Sequence, residues 1–211
     1  MATTTGNPYR ELRRRILDGV HPPGDLLVPA TVGEQLGVSR TPVREALIRL
    51  EIEGLVTKVS RGFRVLERSQ EEILDICEAR IALESAVALS AAQRRTELDL
   101  ARLRRSLDEA RAERSPADRL RLHAEWHVAL RLAAHNPTIV ELMELLDARL
   151  HVYDGTASRT PANLDLIERE HEALYEAVAE GDGERAQELM VAHQRRTRDL
   201  RIAEMAESSG G

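Results

Sequence analysis

The chain has 211 residues, of which 42% are hydrophobic and 31% charged, and its formal net charge is −6. That balance excludes a disordered chain and leaves room for one large domain or two modest ones. One cysteine, Cys77, excludes a disulfide framework; with no apolar run of bilayer length and no secretory stretch in MATTTGNPYRELRRR, a cytoplasmic protein is expected.

Aromatic residues are 2% of the chain, so the core must be built from Leu, Ala, Val and Ile, which suits packed helices better than a large sheet. The charge is uneven. Residues 1–68 hold 11 Lys and Arg against 8 Asp and Glu, and the remainder holds 19 against 28, which suggests a small basic module joined to a larger acidic one.

A first helix is expected from Pro8 to about Asp18-Gly19, with Tyr9, Leu12, Ile16 and Leu17 as its apolar stripe. HPPGD forces a turn, and a short helix over 29–36 is stopped by Gly37. Thr41-Pro42 reads as the next helix start, with threonine as cap and proline in the first helical position. Val43, Leu47 and Leu50 then share one face and Gly54 closes the helix. VTKV and FRV, separated by Ser60-Arg61-Gly62, form a hairpin with a basic tip.

Three helices and a hairpin make a winged helix-turn-helix, which puts the front of its recognition helix in the DNA major groove. Ser39, Arg40, Thr41 and Arg44 stand at that front, where the arginines can donate to guanine edges or phosphates and the hydroxyls to phosphates. Arg61 and Gly62 at the wing tip would meet the backbone or the minor groove. The competing reading makes Arg40 and Arg44 solvated charges paired with Glu45 or Glu34.

From Ser69 the pattern is helical throughout. Ser69 with Glu72 forms a capping box for a helix to about Gln93, Thr96 starts another to about Glu113, and Ser115-Pro116 a third to about His135. Asn136-Pro137 opens a fourth, ending near Asp154-Gly155. Thr160-Pro161 opens a fifth that stops at Gly181, and Asp182 caps the last, to about Ala206, before a frayed SSGG tail. The expected fold is mainly α: an N-terminal winged helix-turn-helix over residues 1–68, then an antiparallel all-α bundle of about six helices over 69–211.

The bundle's informative residues are histidines. His123 and His127 in HAEWH are four apart and leave one helix face together, the spacing at which two imidazoles can share a metal ion. HAEWH is not the protease HExxH pattern, because Glu125 lies on another side of the helix. His171 and His193 sit mid-helix beside Leu174 and Leu189, so four imidazoles could converge inside the bundle. Each alone reads as a satisfied, half-buried polar residue; the set points to metal.

GVSRTPVREALIRLEIEGLV followed by SRGFRV closely resembles the DNA-binding domain of the GntR family of bacterial transcription regulators, over about residues 8–67. Some members carry a DNA-contacting arginine near the start of the second helix. VPATVGEQ offers only Ala30 and Thr31 there, which shifts the work to Arg40, Arg44 and the wing. WHVALRLAAHNP and EHEALYEAVAEGDGERAQELMVAHQ resemble the FCD ligand-binding domain of the FadR subfamily, over about residues 70–200, and six helices suggest its VanR-like branch. In many members of that family an Asp-x3-His pair and two later histidines bind a divalent metal whose coordination a small carboxylate completes. The resemblance therefore implies a metal set of His123, His127, His171 and His193, with histidine where aspartate is usual. Losing that carboxylate favours nitrogen-preferring ions, Zn²⁺ first and Ni²⁺ second. The family also often places an arginine on the first bundle helix to grip the ligand carboxylate, which here is Arg80; the alternative is an i,i+4 pair with Glu84. Asn136 is expected to be a helix cap.

These expectations combine into a DNA-binding transcription regulator, with no enzymatic activity. As a homodimer it would bind an inverted-repeat operator in double-stranded DNA and answer to a small carboxylate effector at a divalent metal, with no membrane partner. Two alternatives remain at this stage. One is a metal-dependent enzyme with an accessory DNA-binding domain, for which Glu168-x-x-His171 supplies half of a di-iron carboxylate pattern. The other is a bundle that only dimerises, its histidines empty.

Overall fold

The computed structural model describes residues 7–151, 153 and 160–208. The Asp154-Gly155 helix end and residues 209–211 of the expected frayed tail lie outside the described residues. The described chain forms two compact units, the first built from the chain up to Ser69 together with Leu145–Tyr153, the second from Gln70–Glu144 and the chain beyond residue 153.

In the first unit, α1 (Pro8–Leu17) is opened by Asn7, whose side chain accepts the Tyr9 N–H, and it buries Leu12 and Ile16. β1 (Leu26–Leu27) leads into α2 (Pro29–Leu36), which ends at Gly37 in the left-handed conformation that glycine adopts without strain. α3 (Arg40–Ile52) buries Val43, Ala46, Leu47 and Leu50. Its cap is Ser39, so the helix begins before the expected Thr41-Pro42 start. The physical reason is that the first four helical N–H groups have no intrahelical acceptor, so Pro42 loses nothing by standing inside the first turn. β2 (Val56–Val59) and β3 (Gly62–Val65) form the expected hairpin, with Val59 opposite Gly62.

β1 completes an antiparallel sheet of order β1-β3-β2. Its two residues are too few to give an alternating pattern, which is why sequence reading passes over it. Gly62 has a strict steric role here: a side chain's Cβ at that position would lie 2.5 Å from the Leu27 carbonyl oxygen of β1.

The core of this unit joins Leu12, Ile16, Leu27, Val43, Leu47, Leu50, Phe63 and Val65 with Ala148. Other residues of the Leu145–Tyr153 segment fasten to the same unit. Arg149 Nε donates to the Glu53 carbonyl at 3.0 Å, and the Tyr153 hydroxyl accepts the Arg68 N–H at 2.8 Å and donates to the Leu66 carbonyl at 3.0 Å.

The remaining helices are α4 (Gln70–Arg94), α5 (Glu97–Ala112), α6 (Pro116–Ala133), α7 (Pro137–His151), α8 (Pro161–Glu180) and α9 (Gly183–Ser208). Their starts follow the expected polar caps. Thr96 and Asp99 form a reciprocal capping box, Ser115 accepts the Asp118 N–H, and Asn136 accepts the Ile139 N–H at 3.3 Å, so Asn136 is a cap. Thr160 and Asp182 do the same for α8 and α9. Within the second unit, α4 packs along α9 and α5 along α6, around Val87, Ala91, Leu103, Leu107, Trp126, Leu130, Leu174 and Met190. Small alanines on α4 let the helices approach closely, and Trp126 fills the space they leave. Among the described residues no helix is long and apolar enough to cross a membrane.

Candidate metal centre and nucleic-acid interface

Helical periodicity puts the histidines inside. On α8 the buried stripe runs Leu164, Ile167, His171, Leu174, Val178, with steps of three and four, so His171 takes a core position. On α6 the stripe His123, Trp126, His127, Leu130 does the same. On α9, His193 falls one turn after the buried Met190. All four imidazoles are buried in the second unit.

Three of them meet. His127 Nε2 is 3.1 Å from His193 Nε2 and 3.2 Å from His171 Nε2. His127, His171 and His193 can each offer one nitrogen such that all three lie within 4.8 Å of one another. His123 stands beside this group, its ring edge-on to His171 with centroids 5.1 Å apart, and it is not one of the three converging donors. Both His123 ring nitrogens are buried without a hydrogen-bond partner.

The donor set fits a metal ion. Two imidazole nitrogens bound to one ion at about 2.1 Å stand about 3.0 to 3.4 Å apart, depending on the bond angle. The two separations from His127 Nε2, 3.1 and 3.2 Å, fall in that range. Without a cation, the one N–H or one lone pair on His127 Nε2 would have to serve both neighbouring rings, whereas an ion accepts a lone pair from each. Neutral imidazoles are required for this, and the surroundings provide them. Burial, reinforced by the nearby Arg131 guanidinium, pushes His127 well below the ordinary imidazole value, and burial does the same to His171. Burial and the nearby Arg119 guanidinium bring His123 down to about 4.

Several groups around the rings escaped the sequence reading. The Trp126 indole lies flat on His171, centroids 4.2 Å apart. Glu84 on α4 is fully buried; its Oε1 accepts from Arg131 Nε at 3.0 Å and stands 3.9 Å from His127 Nδ1. Glu170 Oε2 lies 2.6 Å from His193 Nδ1. The one local hint was Arg131, four residues beyond His127 and so on the same helix face; the rest are pairings between distant helices.

Arg80 is half-buried, with its guanidinium 4.0 Å from Glu84 Oε1, so it stands next to the carboxylate that faces His127. Glu168 pairs with Arg111 at 2.8 Å and Arg119 at 3.0 Å, and Glu125 pairs with Arg121 on the surface. Neither carboxylate is in the donor group.

In the first unit, Ser39, Arg40, Thr41 and Arg44 are exposed at the start of α3. Arg61 is exposed in the turn between β2 and β3, and Gly62 is half-buried where β3 begins. Among the described residues, Arg40, Arg44 and Arg61 have no ion-pair partner. Arg49, further along α3, is occupied: it lies 3.8 Å from Glu53 and 3.9 Å over the Tyr9 ring.

Comparison with known proteins agrees with both halves. Residues 75–196 match the FCD domain, and residues 5–65 match the bacterial regulatory proteins of the gntR family. The HTH-type transcriptional regulator LutR of Bacillus subtilis (strain 168) is 31% identical, over 88% of this chain and 95% of its own length. The HTH-type transcriptional repressor GlaR of Escherichia coli (strain K12) is 29% identical, over 92% and 93%. Among solved structures, a GntR transcriptional regulator from Rhodococcus sp. RHA1 superposes with a TM-score of 0.71 at 27% identity, covering 92% of this chain and 95% of that one. E. coli McbR/YncC shares the fold, with a TM-score of 0.76 at 23% identity over 97% and 100%. These relatives are regulators, and the enzyme alternative has no support among them. Wing, recognition helix and helical bundle thus fall together: the chain belongs to the GntR family of bacterial regulatory proteins, its second part an FCD domain, and is a DNA-binding transcription regulator of that type.

Proposed function

We propose that this regulator is metal-dependent and answers to a small carboxylate effector. The observation that carries the reading is the convergence of His127, His171 and His193 Nε2 atoms in a buried site, with separations suited to one ion. Zn²⁺ is the expected occupant and Ni²⁺ the alternative, because the donors are nitrogen and no carboxylate is among them. His123 completes the proposed set as the neighbour whose two ring nitrogens are buried and unbonded. A bound dication would supply a Lewis-acidic centre whose charge three neutral imidazoles leave uncompensated, and this is the chemistry that attracts an anionic ligand. Arg80 is proposed as the planar donor that orients the effector carboxylate.

In the first unit, Ser39, Arg40, Thr41 and Arg44 read the operator while Arg61 and Gly62 carry the wing to it. Support comes from the exposure of the three arginines and, among the described residues, the lack of a carboxylate paired with them. The residue division proposed is 1–68 for DNA binding, with Leu145–Tyr153 packed into that unit, and the rest of 69–211 for effector, metal and dimerisation, in the six-helix VanR-like manner. A homodimer on an inverted repeat in the cytoplasm follows from the weak grip of a single module. Effector and operator then bias one equilibrium, and each changes the affinity for the other by the same factor.

Operator fragments selected from random DNA, titrated by fluorescence anisotropy against the Zn²⁺-loaded and chelator-treated protein with a panel of small carboxylates, test this. At least one carboxylate is expected to shift operator affinity in the loaded protein alone. Equal operator affinity across metal states and all carboxylates would overturn the sensor reading.

A further inference from the structure

Of the three converging histidines, His193 alone has its outer nitrogen hydrogen-bonded; the Nδ1 atoms of His127 and His171 are buried without a partner. The bonded partner is Glu170, which does not face the centre itself. It precedes His171 on α8, which turns it about a quarter turn off that residue's direction, and it reaches across to α9 instead. Glu170 is in turn held by one edge of the Arg196 guanidinium. Arg196 Nε donates to Oε1 at 2.6 Å and Nη2 to Oε2 at 2.7 Å, while Nη1 donates to Asn163 Oδ1 at 2.6 Å. Arg196 lies one helical turn after His193, so ligand and clamp rise from the same face of α9.

We propose that Glu170 is the positioning residue of the histidine centre, and that the Asn163–Arg196–Glu170 relay makes His193 the one pre-oriented donor. The inference rests on the metal reading above. A carboxylate accepts only, so His193 Nδ1 must carry the hydrogen, and in the neutral ring its Nε2 presents a lone pair to the centre. The bidentate clamp fixes the carboxylate plane, which fixes the ring's rotation. Two guanidinium N–H groups of Arg196, at 2.6 and 2.7 Å, face the two Glu170 oxygens and leave the carboxylate to serve as acceptor for His193. His127 and His171 take their orientation from packing, His171 chiefly from the Trp126 stack.

The full-length protein, stripped with a chelator, is titrated with Zn²⁺ in competition with a chromophoric chelator, for the wild type, Glu170→Gln and Glu170→Ala. Affinity is expected to fall about ten- to a hundred-fold in Glu170→Ala. It is expected to recover in part in Glu170→Gln, whose amide oxygen can still accept. In the stripped wild type, nitrogen-15 NMR of the histidine rings is expected to show His193 with hydrogen on Nδ1 and none on Nε2. Unchanged Zn²⁺ affinity in folded Glu170→Gln and Glu170→Ala, or the Nε2–H form of His193, overturns the proposal. If the wild type itself takes up no Zn²⁺, the metal reading fails, an outcome distinct from either. If Glu170→Ala does not fold, Glu170→Gln and the ring measurement decide.

Discussion

Trp126 and His171 stack ring on ring, centroids 4.2 Å apart and planes 20° from parallel, at the centre of the bundle. Trp126 is the only tryptophan in the chain and is fully buried, so its fluorescence reports on the histidine centre. Paramagnetic Co²⁺ or Ni²⁺ in that centre is expected to quench the emission, and Zn²⁺ to alter it without comparable quenching. Trp126→Ala is expected to cost about 3–5 kcal/mol of stability, read by urea denaturation, because it empties a filled core position.

Metal removal should be visible in stability as well. An ion held by the folded form alone stabilises it by mass action, by about 2.7 kcal/mol at a hundredfold excess over the dissociation constant. A chelator is therefore expected to lower the melting temperature of the wild type and to leave His127→Ala/His171→Ala unmoved. An equal response in both proteins would place the ion elsewhere.

The buried imidazoles give the metal-free protein a pH dependence of defined sign. Burial and the Arg119 charge depress His123 to about 4 from an ordinary value of 6.5, and burial holds His127 and His171 well below that value too. Between pH 6.5 and 4 the unfolded chain binds more protons than the folded one, so stability falls as the pH drops through that window. The slope is at most about 1.4 kcal/mol per pH unit for each histidine. Above pH 6.5 both states are neutral and the dependence vanishes. Urea midpoints between pH 8 and 5 measure this, and His123→Phe should flatten the curve.

Glu84 and Arg131 are both buried and joined by Arg131's Nε bond of 3.0 Å. Glu84→Ala removes the buried counter-charge that Arg131 faces in this pair and is expected to destabilise by about 3–5 kcal/mol. Glu84→Leu/Arg131→Met is expected to recover much of that loss, measured as a double-mutant cycle.

At the DNA end, Arg44→Ala is expected to weaken operator binding by about 1–3 kcal/mol and to relax base choice at one position. An equal loss on random DNA would reduce Arg44 to a backbone contact. Gly62→Ala acts differently. Its Cβ meets the Leu27 carbonyl oxygen at 2.5 Å, so β1 must part from β3, and the variant is expected to melt at a lower temperature even without DNA.

Local chemistry explains how much of this was legible in the chain. Helix starts at Asn136-Pro137 and Thr160-Pro161 announce themselves through a capping oxygen and a proline that needs no acceptor. The inward direction of His171 follows from its place in the stripe Leu164, Ile167, His171, Leu174. What stayed hidden was non-local. The reach of Glu170 across to His193, the Glu84–Arg131 pair and the Trp126 stack on His171 join separate helices, and nothing in the spacing along the chain encodes them. Ser39 caps α3 without a side-chain hydrogen bond to the helix, whereas Thr41-Pro42 carries the stronger local signal two residues on.

Leu145–Tyr153 belongs, by its packing, with the winged helix far upstream: Ala148 sits in that core, Arg149 holds the Glu53 carbonyl and Tyr153 bridges Leu66 and Arg68. A reading head cut from this protein at Ser69 and grafted onto another sensor would therefore arrive with a bare seam where Ala148 had been. An exchange of parts between relatives has to carry this second, distant stretch as well, so the smallest transplantable piece is discontinuous along the gene.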